Sequence, residues 1–81
     1  MIIEITKEDI RLGRRSSINA CPVARALRRR LGTEAVVSAY YYRQTAGSPV
    51  ILISEKLAEF IHDFDHGLKV KPMRARVSTK P

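Results

Sequence analysis

Ala35-Val36-Val37-Ser38-Ala39-Tyr40-Tyr41-Tyr42-Arg43 is dense in β-branched and aromatic side chains, which lose rotamer freedom in a helix and pack well on a pleated sheet. Thr45-Ala46-Gly47-Ser48-Pro49 follows as a five-residue turn, and Val50-Ile51-Leu52-Ile53 is a second β-prone run. Two such runs across one turn predict a β-hairpin. Alternation along the first strand sets Val37, Ala39 and Tyr41 on one side and Ser38, Tyr40 and Tyr42 on the other.

Helices flank the hairpin. Upstream, Pro22 suits a first helical position because its missing N–H would find no partner there, and it pushes Cys21 into extended geometry as the cap. Val23, Ala24, Leu27 and Leu31 then recur at helical spacing while Arg25, Arg28 and Arg29 face elsewhere, and Gly32 ends the helix. Downstream, Ser54 caps a third helix with Glu55 in its first turn. Leu57, Phe60, Ile61 and Phe64 form its apolar stripe, and Gly67 stops it.

Further out, Met1-Ile2-Ile3-Glu4-Ile5 reads as a strand. Thr6 and Asp9 have the spacing of a capping box, and Ile5 and Ile10 that of a hydrophobic staple. Gly13 is expected to supply a left-handed residue that stops a helix of about two turns. Arg14 to Ala20 is a polar connection. Leu68 to Val77 is a last extended segment, which Pro72 confines to a sheet edge or splits in two. The order β-α-α-β-β-α-β predicts one α+β domain over residues 1–77, with a flexible tail at 78–81. Its three- to four-stranded antiparallel or mixed sheet would carry the helices on one face.

The 81 residues hold fifteen Lys/Arg against eight Asp/Glu, a net charge of +7. Seven arginines and no acid lie between Arg11 and Arg30, and five cations and no acid between Lys69 and Lys80. The third helix, by contrast, contains Glu55, Glu59, Asp63 and Asp65. Two long acid-free segments point to a polyanion. The expectation is a small basic module contacting nucleic acid, DNA or RNA, through Arg14, Arg15, Arg25, Arg28, Arg29, Lys69, Lys71, Arg74 and Arg76. Tyr40 and Tyr42 would be stacking groups on an open sheet face. The competing expectation is an interaction module that binds an acidic protein, or forms a homodimer through an exposed strand edge.

No apolar run approaches the roughly eighteen residues of a membrane span, and no secretory signal opens the chain. One cysteine cannot form an internal disulfide, so a cytoplasmic location is expected. Residues with chemistry of their own are few. Arg14, Arg15, Ser16, Ser17 and Asn19 precede a helix N-terminus and could cradle an anion, but they lack the glycines and the Gly-Lys-Ser/Thr ending of a phosphate loop. A plain polar connection fits them as well. Cys21, if exposed, would gain thiolate character at its helix start, yet a nucleophile needs a base, and His62 and His66 are the only histidines. Those two share a helix face with Glu59 at a spacing that suits one metal, without a second ligand cluster or a His-Glu-x-x-His motif. No catalytic residue, metal site or cofactor is assigned, and the chain is read as non-enzymatic.

Thr6-Lys7-Glu8-Asp9-Ile10-x-x-Gly13, followed by Cys21-Pro22-Val23-Ala24-x-Ala26-Leu27, resembles small proteins encoded by bacteriophages and prophages. In those, a short strand, a Thr/Asp-Ile-x-x-Gly turn and a Cys-Pro-Ile/Val-Ala helix open the chain. The resemblance covers the first third of this sequence. It implies a host-directed cytoplasmic protein that acts by binding a host protein or nucleic acid, and it transfers no site residue.

Overall fold

The computed structural model of the chain describes residues 1–32, 34–38, 41–44 and 47–78. It is an α+β fold of three helices and five short strands, and every strand pairing is antiparallel. β1 (Ile2–Ile5) pairs with β5 (Met73–Arg76), matching Ile3 with Ala75 and Glu4 with Arg74. Ile3, Ile5 and Ala75 are thereby turned into the core, while Ile2, Glu4, Arg74 and Arg76 face water. β5 begins directly after Pro72, so the proline lies outside the ladder, where its missing N–H does no harm.

α1 (Lys7–Leu12) starts with the reciprocal cap written in its sequence: Asp9 N–H donates to Thr6 Oγ1 at 3.1 Å and Thr6 N–H to Asp9 Oδ2 at 2.9 Å. Gly13 ends this helix by a route the sequence reading missed. Its backbone is extended, with φ −69° and ψ 155°, so no left-handed residue is involved. The glycine is needed for space, since a Cβ there would stand 2.7 Å from Asp9 O and 2.7 Å from Pro22 Cδ. α2 (Pro22–Leu31) is capped by Cys21, whose sulfur accepts from Ala24 N–H at 3.4 Å. It stops at Gly32, which is left-handed at φ 74° as expected. α2 lies against β1, α1 and β2.

The central run is where sequence and structure differ most. Residues 35–43 do not form one strand: β2 (Val36–Val37) and β3 (Tyr41–Arg43) pair with each other, and Ser38 N–H donates to Tyr41 O at 2.8 Å. A continuous strand would put Val37 and Tyr42 on opposite faces. Folding back makes them cross-strand partners, and both are buried. β4 (Ile51–Leu52) completes this sheet in the order β2-β3-β4, with Ile51 buried opposite Tyr42. Five strands thus form two small sheets, of two and three strands.

α3 (Glu55–Asp65) is capped by Ser54 and buries Leu57, Phe60 and Ile61. Leu68 N–H reaches Asp63 O at 2.9 Å and Gly67 N–H reaches Phe64 O at 3.1 Å, the paired closure that needs the left-handed Gly67 at φ 76°. α2, α3 and both sheets contribute to one hydrophobic cluster, and Ile10 of α1 packs against it.

Candidate functional site

Two of the four arginines of α2 turn to a single carboxylate. Arg29 donates to Asp9 through both terminal nitrogens, at 2.9 and 2.7 Å, and Arg25 Nε lies 3.3 Å from the same group. Asp9 is completely buried. Burial by itself pushes its pKa up, but the Arg29 hydrogen bonds, the Thr6 N–H and the Arg29 charge prevail and hold it at about 2. Arg29 also donates to Glu4 O at 2.8 Å, while Arg74 Nε stands 3.2 Å from the Glu4 carboxylate. Arg28 donates to Asn19 O at 2.9 Å and lies 3.7 Å from Glu34. Four of the nine cations expected to bind nucleic acid, Arg25, Arg28, Arg29 and Arg74, therefore spend directed bonds inside the molecule. Arg14 and Arg76 are exposed, and the Arg15 guanidinium packs over Gly67 beside a loop anchored by Ser16 N–H to Asp65 at 2.8 Å.

Tyr42 is a correction. Only 1% of it is exposed, and its hydroxyl donates to Ser78 O at 2.5 Å. It is a core residue that ties the three-stranded sheet to the chain beyond β5, and no base can stack on it. The cause is the fold-back at Ser38, which inverts the alternation expected of one long strand and turns Tyr41 outward instead. Tyr40 lies outside the described residues, as do residues 79–81 of the expected tail.

Cations from three separated elements nevertheless converge. An open groove of about 800 Å³ is lined by Lys7 of α1, Lys56 of α3 and Arg74 of β5, over Ile5, Pro72 and Met73. A second, of about 320 Å³, adjoins it through shared Lys56 and Met73 and adds Lys69 and Lys71. Five cations thus border a continuous surface, against the carboxylates of Glu4, Glu59 and Asp63. Glu4 is already engaged by Arg74. Lys69, Lys71 and Arg74 were legible as candidates. Lys7 and Lys56 were missed, and their one local signal is a position in the first turn of a helix, where the dipole disfavours a cation.

The remaining candidates have little chemistry to offer. Cys21 is buried, which raises its thiol pKa, the reverse of what an attacking sulfur needs. His62 and His66 stack with ring centroids 4.1 Å apart, and His66 Nδ1 lies 2.8 Å from His62 O. Among the described residues no group of three or more His, Cys, Asp or Glu side chains could hold a metal ion, and no helix is long and apolar enough to cross a membrane. Comparison with known protein families, with curated proteins and with solved structures finds no match to this chain.

Proposed function

We propose that the protein is a small binding module that holds the phosphate backbone of nucleic acid along the two adjoining grooves. The observation that carries this reading is the meeting of Lys7, Lys56, Lys69 and Lys71 around one surface, from parts of the chain that are far apart in sequence, with Arg74 beside them paired to Glu4. Lysine ammonium groups on flexible stems suit such contact, because they follow a run of phosphates without demanding one geometry. The floor of the grooves is aliphatic apart from Phe60, which is only 6% exposed. Binding is therefore through charge and without base readout, as in sequence-independent recognition.

Fluorescence anisotropy of labelled duplex and single-stranded oligonucleotides tests this, titrated at several salt concentrations. The expected result is a complex at low salt whose log affinity falls with log salt, by about 0.9 for each duplex phosphate neutralised. Replacing Lys56, Lys69 and Lys71 by glutamine should weaken it throughout. Absence of any complex at low salt, or an affinity indifferent to that triple replacement, would refute the proposal.

A further inference from the structure

α3 and its cap place both histidines of the chain one helical turn apart, each exposed to solvent. Their rings stack with centroids 4.1 Å apart and planes inclined by 27°, and both line an open groove of about 330 Å³. The bond at one ring nitrogen fixes the state of the other. His66 Nδ1 lies 2.8 Å from His62 O, and a carbonyl oxygen only accepts, so Nδ1 carries the proton. His62 Nδ1 lies 3.4 Å from Asp63 Oδ1, and an ionised carboxylate likewise only accepts. In the neutral rings both Nε2 atoms therefore hold a lone pair, and neither has a hydrogen-bond partner among the described residues. An imidazole whose Nδ1–H is held by a carbonyl or carboxylate while Nε2 stands open is the form in which histidine ligates metals.

We propose that the protein binds a divalent transition-metal ion of the zinc class through Nε2 of His62 and of His66, with water in the remaining coordination positions. Two histidines at i, i+4 share a helix face and grip one ion as a chelate. Bonds of about 2.0–2.1 Å to each nitrogen require the rings to close in from their present stacking, a rotation that exposed side chains make without disturbing the core. The local field suits a cation, since Glu55, Glu59 and Asp65 line the same groove in a chain of net charge +7. These carboxylates supply charge and are not ligands, because no group of three or more His, Cys, Asp or Glu side chains among the described residues could hold the ion together. Imidazole donors favour zinc, nickel and copper, whereas magnesium and calcium prefer oxygen. Cys21, the one thiol that could compete for such an ion, is buried. Neither histidine lines the lysine grooves, so this site stands apart from the nucleic-acid surface.

Isothermal titration calorimetry of the full chain, carrying no histidine tag, with zinc chloride and with nickel chloride tests the site, together with NMR of the imidazole nitrogens. The expected result is one ion per chain. The Nε2 resonances of both histidines should move on binding while Nδ1 stays protonated, and magnesium chloride should produce neither heat nor shift. Zinc should also raise the thermal midpoint of the wild type, because the ion binds the folded helix and not the separated side chains. His62→Gln and His66→Gln, each alone, leave a single imidazole. Each should weaken zinc binding about tenfold or more, at least the cost of losing an outer-shell partner, and should abolish the rise in midpoint. Both side chains are exposed, so circular dichroism should show the variants folded as the wild type is. Absence of heat and of ring shifts at millimolar zinc, or an affinity indifferent to either replacement, overturns the proposal.

Discussion

Asp9 is a buried carboxylate bonded on two sides. It closes the cap of α1 with Thr6 and receives Arg25 and Arg29 from α2, so one carboxylate fastens two helices together. Its ordinary value of 3.8 falls to about 2 in the folded protein, so the folded state favours the ionised form. The stability this contributes is complete above the unfolded pKa and is lost as pH falls through the folded one. Urea denaturation of the wild type should therefore show a loss of about 2 kcal/mol from this group between about pH 5 and pH 2. Asp9→Asn should begin less stable and lack that component, and parallel decline in the two proteins would remove Asp9 as its source. Asp9→Ala should cost about 3 kcal/mol at neutral pH, since it strands two guanidinium groups and a cap. Tyr42 offers a contrast at the same scale. Tyr42→Phe removes the bond to Ser78 O and should cost about 1 kcal/mol in denaturation. It should leave oligonucleotide affinity unchanged, whereas a stacking tyrosine would lower it.

Among the elements, α1 and α2 meet at a corner where two glycines serve different ends. A Cβ on Gly13 would fall 2.7 Å from the Asp9 carbonyl, which the helix cannot move, and within 2.8 Å of the Pro22 ring. Gly32 has open space around it and is constrained by its left-handed backbone instead. Thermal denaturation should thus find Gly13→Ala costlier, at about 2 to 3 kcal/mol from overpacking, than Gly32→Ala at about 1 kcal/mol. Adding Pro22→Ala should recover part of the Gly13→Ala loss, and strict additivity of the two would show that the ring is not what the Cβ meets. The same corner shows what a sequence can and cannot say. The caps at Thr6, Cys21 and Ser54 and the stop at Gly67 were legible because each signal lies within a few residues of the bond it makes. The pairing of Val37 with Tyr42 was not, because the sequence between them has no Gly, Pro, Asn or Asp and only Ser38 as a weak turn signal. That pairing is set by burial of both side chains in the core, a tertiary fact. The embrace of Asp9 by Arg29, twenty positions away, was hidden for the same reason.

Across the whole molecule, the charge that matters for binding is set by where cations converge, and the density of arginine along the chain misleads. The chain measures 31 × 20 × 19 Å, so its opposite sides stand well beyond the screening length of about 8 Å at physiological salt. Cations that do not border a common surface act on a polyanion almost independently. The arginines of α2 were conspicuous in the sequence, yet Arg25 and Arg29 are committed to Asp9. The groove lysines were inconspicuous, two of them because they sit singly at helix starts. This leads to a charge-matched comparison. Lys69→Gln/Lys71→Gln and Arg11→Gln/Arg30→Gln each remove two positive charges, all four from exposed side chains, but of the two pairs the lysines line the basic grooves described above. The lysine pair should lower the slope of log affinity against log salt for duplex DNA by about 1.8, because two phosphates lose their partners. The arginine pair should reduce affinity modestly through net charge and leave the slope near its wild-type value. Equal losses of slope would mean that nucleic acid answers to net charge alone and that the grooves have no special part in holding it.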